Sequence, residues 1–117
     1  MDIEQTDCYS LDGDADLIAC VNVLEHVEDV DEALLHFRRH GRALWLCWGP
    51  WFSPWGRHPG YGHATHKTTV AGVLRSLRRT GWHVRTIRPR YWPWLGFLAR
   101  WPITREWATW NVEIVAD

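Results

Sequence analysis

A chain of 117 residues, 46% hydrophobic and 23% charged, builds one soluble domain at most, or part of a larger one. Its formal net charge of −1 provides no global field to attract nucleic acid, so a nucleic-acid partner is not expected. The charge is uneven. Asp2, Glu4, Asp7, Asp12, Asp14, Asp16, Glu25, Glu28, Asp29, Asp31 and Glu32 come early, and arginines dominate from Arg38 onward. Such a split either steers an anionic substrate to the second half or forms complementary solvated faces.

The start, Met1-Asp2-Ile3-Glu4, is acidic and has no apolar h-region, so no secretory signal is expected. Residues 2–7 alternate weakly and are expected to form a short strand ending at Asp7. Leu11-Asp12-Gly13-Asp14 is a turn signal. Leu17 to Val23 is nearly continuous in apolar residues, which predicts a strand buried on both faces, as in a parallel sheet. A helix follows. Asp31 is a good N-cap, and Val30 can staple onto Leu35. Ala33, Leu34 and Phe37 supply its inward stripe, and Gly41 offers a left-handed stop.

Ala43 to Trp48 reads as a second buried strand, closed by Gly49-Pro50. The long segment from Trp51 to about Lys67 has no periodicity, and its Trp51, Trp55 and Tyr61 point to an ordered lid or pocket wall. Thr68 or Thr69 can cap a second helix, whose Val70, Val73, Leu74 and Leu77 form an amphipathic stripe ending at Gly81. Residues 82–88 alternate with period two and predict a strand with one wet face. Pro89 to Thr104 is aromatic and broken by prolines, with a short helix expected around Leu95–Arg100. Trp110 to Val115 should be the last strand, open to antiparallel pairing. Alternating strands and helices imply a parallel sheet with right-handed crossovers. No stretch has the uninterrupted apolar length of a membrane span.

Cys8, Cys20 and Cys47 are odd in number, form no CxxC pair, and lie partly within apolar runs. They read as buried free thiols of a cytoplasmic protein, with no disulfide framework. The ten tryptophans can line an aromatic pocket, form an interfacial belt, or fill the core.

Asp16-Leu17-Ile18-Ala19-Cys20-Val21-Asn22-Val23-Leu24-Glu25-His26-Val27 runs from a strand into a polar turn, the place where α/β folds bind ligands. It resembles the middle strand and following loop of class I S-adenosylmethionine (SAM) dependent methyltransferases, with their D-L-I-x-x-x-x-V-L-E-H-V pattern. Phe37 to Leu44 is similar to the family's basic, glycine-containing passage before its fifth strand. Gly62 to His66, with Thr80-Gly81-Trp82-His83-Val84, is similar to a later passage. The tail from Pro89 to Val112 looks like that of an actinobacterial group of type 11 methyltransferases. The resemblance covers about residues 5–117.

What the resemblance implies is a partial Rossmann-like α/β sheet forming one partial domain over residues 1–117. It would retain the family's strands 4-5-7-6, with strand 7 antiparallel, and correspond to the C-terminal half. Residues 1–15 would be a remnant before strand 4, and residues 49–67 and 89–105 substrate-side loops. The family's glycine-rich turn and its ribose-binding acid have no counterpart in this sequence. A truncated or split methyltransferase is expected, with a partner chain supplying the missing half. The resemblance gives Asp7 the adenine amino group and Cys8 a nearby backbone donor, and sets Asn22 and Val23 beside the methionine part of SAM. Glu25 and His26 would lie next to the transferred methyl group, and His63 would be a pocket residue. The acceptor would be a small molecule, lipid or glycan.

The residues leave other readings open. His26 with Glu25 is either a general base or a turn cap. His58, His63 and His66 match no standard zinc spacing, so no metal is expected. Arg85, Arg88, Arg90, Tyr91, Trp92, Trp94 and Arg100 form either a peripheral-membrane or hydrophobic-substrate rim or packing over the sheet.

Overall fold

The computed structural model describes residues 8–49, 68–91, 100 and 109–117. Within them the chain forms β1 (Ala15–Val21), α1 (Val30–His40), β2 (Gly41–Trp48), α2 (Val70–Arg79), β3 (Val84–Tyr91) and β4 (Thr109–Ala116). The sheet order is β1-β2-β4-β3. β1 and β2 are parallel, and β4 lies antiparallel between β2 and β3. The result is a small α/β domain with a mixed sheet.

The register sorts the strands into two faces. Ile18 and Cys20 of β1, Leu44, Leu46 and Trp48 of β2, and Val112, Ile114 and Ala116 of β4 are all buried. They share one core with Ala33, Leu34 and Phe37 of α1 and with Val73 and Leu77 of α2. Each fully buried aliphatic side chain contributes about 1.5–3 kcal/mol. The opposite face carries Leu17, Ala19 and Val21, then Ala43 and Trp45, then Val115. Leu17 is 55% exposed and Val21 44%. The strand expected over 17–23 to be buried on both faces is therefore buried on one, because both described helices cover the same side.

Local signals explain the helices, with corrections at their ends. The N-cap of α1 is Asp29 and not Asp31, and its Oδ1 accepts from Glu32 N at 3.0 Å. Val30 is consequently the first helical residue, and Leu35 turns outward, 43% exposed, so the expected staple does not form. Gly41 is extended (φ −128°, ψ 142°) rather than left-handed, and the chain passes from α1 directly into β2. Its glycine serves close approach instead: a Cβ there would lie 2.5 Å from Ile18 Cδ1. In α2 the N-cap is Thr69, whose Oγ1 accepts from Gly72 N at 3.0 Å. The far end closes with Gly81 at φ +83°, Gly81 N donating to Arg78 O and Trp82 N to Leu77 O. This is a Schellman arrangement.

Trp82 then leaves the helix layer and donates from Nε1 to Leu34 O of α1 at 3.0 Å, with Arg38 stacked over its ring. Arg79 reaches Asp31 Oδ2 at 2.7 Å, a second tie between the helices. β3 starts two residues later than expected and runs through Pro89 to Tyr91, so these residues belong to a strand and not to a substrate-side loop. Proline is tolerated there because β3 is an edge strand. The short strand expected over 2–7 and most of the segments 49–67 and 89–105 lie outside the described residues. No helix of the described residues is long and apolar enough to cross a membrane.

Candidate functional site

At one end of the sheet β1 and β2 finish, at Val21 and Trp48, β3 finishes at Tyr91, and β4 begins at Thr109. The carboxyl ends of parallel strands are the usual ligand-binding edge of α/β sheets. The turn after β1 is held there by its backbone. Asn22 N donates to Cys47 O at 2.8 Å, which continues the β1–β2 pairing by one residue. Asn22 itself takes a left-handed conformation, φ 52°, the one non-glycine residue with positive φ among the described residues. Asparagine tolerates this region better than most side chains, and such positions concentrate at functional sites.

From Asn22 the chain folds into a tight turn in which His26 N donates to Val23 O at 2.9 Å. Leu24 and Val27 point inward and are buried, anchoring the turn to the core. Among their neighbours Asn22 and His26 are exposed, and Val23 and Glu25 are half-buried. The pattern Val23-Leu24-Glu25-His26-Val27 produces this arrangement: its three apolar residues pack on the core, Leu24 and Val27 fully and Val23 in part, and the polar pair lies between them. Burial raises the Glu25 carboxyl above its ordinary value, against its own backbone hydrogen bond and the neighbouring His26.

Around the turn the chemistry is acidic and thiol-rich. Cys20 is pushed up to about 12, first by burial and then by Glu25, Cys8 and Cys47, so it is a neutral thiol at ordinary pH. Tyr9 is raised by burial and then by Cys8, Glu32, Asp29 and Glu28. Residues 1–37 contain no lysine or arginine. On the far side of Val21, Cys47 Sγ donates to Asn111 Oδ1 at 3.3 Å, and Arg90 Nε donates to Glu113 Oε1 at 3.2 Å.

The structure thus brings Asn22, Val23, Glu25 and His26 together on one turn, with Cys8 half-buried nearby. Asp7 and His63 lie outside the described residues. Cys47 and Asn111 were not marked by sequence as a site pair. They are 64 residues apart, and only the β2–β4 pairing joins them. Their single sequence signal is Asn111 itself, a polar residue near the start of β4, a strand that also carries Thr109 and Glu113.

No protein-family model and no curated protein matches the sequence. Solved structures do. A SAM-dependent methyltransferase from Mesorhizobium loti aligns over 97% of this chain and 67% of its own, with TM-score 0.67 and 16% identity. Magnesium protoporphyrin IX methyltransferase from Synechocystis PCC 6803, with bound S-adenosylhomocysteine (SAH), aligns over 95% of this chain and 48% of its own, with TM-score 0.65 and 15% identity. The same enzyme with bound SAM gives TM-score 0.57 at 16% identity, over 95% and 42% of the two chains. The chain therefore spans about two thirds of the first protein and about half of the second. At these identities the likeness is one of fold: the chain has the α/β fold of SAM-dependent methyltransferases.

Proposed function

We propose that this chain is a cytoplasmic, SAM-dependent methyltransferase module, the C-terminal half of the type 11 kind, that binds SAM at the carboxyl ends of β1 and β2. The observation that carries the reading is the fold likeness along nearly the whole chain to proteins of that activity. In this reading β1, β2, β4 and β3 are taken as the family's strands 4, 5, 7 and 6, which is supported by the observed order β1-β2-β4-β3 and the antiparallel β4. SAM carries a sulfonium and an ammonium. The described part of the site suits a cation, since Glu25, Glu28 and Asp29 cluster on a segment without lysine or arginine.

In this reading Asn22, Val23 and Glu25 hold the methionine part of SAM, Asp7 and Cys8 the adenine side, and His26 and His63 are the catalytic candidates beside the acceptor. When bound, SAM supplies an electrophilic methyl group. The chain's own contribution is in-line positioning of a small-molecule, lipid or glycan acceptor. Glu25, whose carboxyl burial raises above its ordinary value, and the exposed His26 are the polar side chains that this turn offers to the acceptor.

A second reading starts from the edge of β1, which pairs with no strand among the described residues other than β2. In it the chain is a non-catalytic module that associates with another polypeptide, which completes it. Calorimetric titration of SAM and SAH into the folded chain separates the two. Saturable heat supports the methyltransferase. Asn22→Gly, which keeps the left-handed backbone and deletes the side chain, should then weaken binding about tenfold, or about 1.4 kcal/mol. No heat from a folded chain supports the associating module.

A further inference from the structure

Toward its C-terminal end α1 carries two histidines, His36 and His40, a turn apart. Side chains at that spacing stand one above the other on a helix, with Cβ atoms about 5–6 Å apart. Their ring centroids are 4.7 Å apart and the ring planes are inclined by 48°. Both residues are half-buried. They lie at the end of α1 that leads into β2, remote from the turn at Asn22.

The ring nitrogens are sorted by their partners. His40 Nδ1 lies 2.9 Å from Gly13 O. A carbonyl oxygen only accepts, so Nδ1 carries the hydrogen, and in the neutral ring Nε2 holds the lone pair. A backbone carbonyl on one ring nitrogen is the usual support that orients the other toward a metal. His36 Nε2 is buried and has no hydrogen-bond partner among the described residues. An unpaired buried polar atom costs free energy, which a bound ligand offsets.

The surroundings suit a cation. The last turn of a helix is the negative end of its dipole. Gly13 stands between Asp12 and Asp14 in the chain. Of the basic neighbours, Arg38 stacks on Trp82 and Arg42 pairs with Asp16, which leaves Arg39. Imidazole nitrogen selects first-row transition ions over calcium and magnesium, which take oxygen ligands. Among the described residues no third histidine, cysteine or carboxylate joins the pair, so water completes the coordination.

We propose that His36 and His40 chelate a divalent first-row transition ion, which pins the end of α1 to the chain before β1 through His40 and Gly13. The site is separate from the turn at Asn22 and holds its ion whether or not the chain binds SAM. The test titrates Ni²⁺ into the whole chain without SAM, read by calorimetry. Saturable binding is expected, tighter for Ni²⁺ than for Co²⁺ and weakest for Mn²⁺. Acid should weaken it, because protons compete for the imidazoles. In NMR spectra paramagnetic Co²⁺ should shift or broaden the amide signals of residues 12–14 and 36–40 first. His40→Gln keeps a donor for Gly13 O and loses the ligand nitrogen, and His36→Gln loses the other. Each should weaken Ni²⁺ binding roughly tenfold or more, with native circular dichroism. His83→Gln should leave the affinity unchanged, and so should joint replacement of His58, His63 and His66 by glutamine. If the His36 or His40 variant unfolds, the position of the Co²⁺ effect in the native chain still decides. Absent saturable Ni²⁺ binding, Mn²⁺ binding as tight as Ni²⁺, a Co²⁺ effect centred on other residues, or affinity lost with His58, His63 and His66 would each overturn the proposal.

Discussion

Asn22 and Gly41 show how one residue serves the fold in ways its type only half reveals. Asn22 holds φ 52° at the mouth of the site. Asn22→Ala should cost about 1–2 kcal/mol in urea unfolding, while Asn22→Gly should be nearly neutral, because only glycine enters the left-handed region freely. Gly41 has an ordinary extended φ but no room for a side chain beside Ile18. Gly41→Ala should destabilise by about 1–3 kcal/mol, and Ile18→Ala in the same chain should relieve part of that crowding. Protonation adds a third case. Burial raises Glu25, so in the folded chain it keeps its proton to higher pH than in the unfolded chain. The unfolded state then binds fewer protons between the two values, and stability falls as pH rises through that window. Glu25→Gln should flatten this fall in urea titrations measured across the carboxylate range and above it. Asp31 has the opposite sign. Its hydrogen bond with Ser76, and then Arg79, hold its carboxyl low, so its contribution is lost as pH falls.

The helices are joined at the level of elements. Trp82 spans from the Schellman end of α2 to the Leu34 carbonyl of α1, burying its ring on the way. Trp82→Phe removes the donor and some volume, and should cost about 1–3 kcal/mol by urea unfolding. Asp29→Ala removes the N-cap of α1 and should cost about 1 kcal/mol, whereas Asp31→Ala should leave the cap intact. Both helices and all four strands were legible because their signals are local: the apolar stripe of Val73 and Leu77, the Thr69 cap, the Gly81 stop, the alternation around Val112 and Ile114. The cap of α1 was misplaced because Asp29 and Asp31 are equally good acceptors in isolation. Which one caps depends on where Leu24 and Val27 pin the preceding turn.

For the molecule as a whole, two described helices cover one face of a mixed sheet whose central strands are β2 and β4. Hydrogen exchange should therefore be slowest at Leu44, Leu46, Val112 and Ile114, which are buried in strands paired on both sides. Of the candidate site, the turn from Asn22 to His26 was legible because its residues are neighbours in sequence and sit at the end of an apolar strand. Cys47 with Asn111 was not, because nothing local links residues on strands that meet only when the sheet assembles.

The sequence by itself determined which segments are helix and strand, the acidic first third, and a polar turn at the end of the first strand. Periodicity, capping chemistry and charge are local properties, and each is carried by residues close together in the chain. Tertiary structure alone decided that the apolar run of β1 is covered on one face only, and that Gly41 is a packing glycine. Those outcomes depend on which surfaces meet. The same run of aliphatic residues can line a doubly covered strand or an open edge, and the choice rests with the rest of the chain.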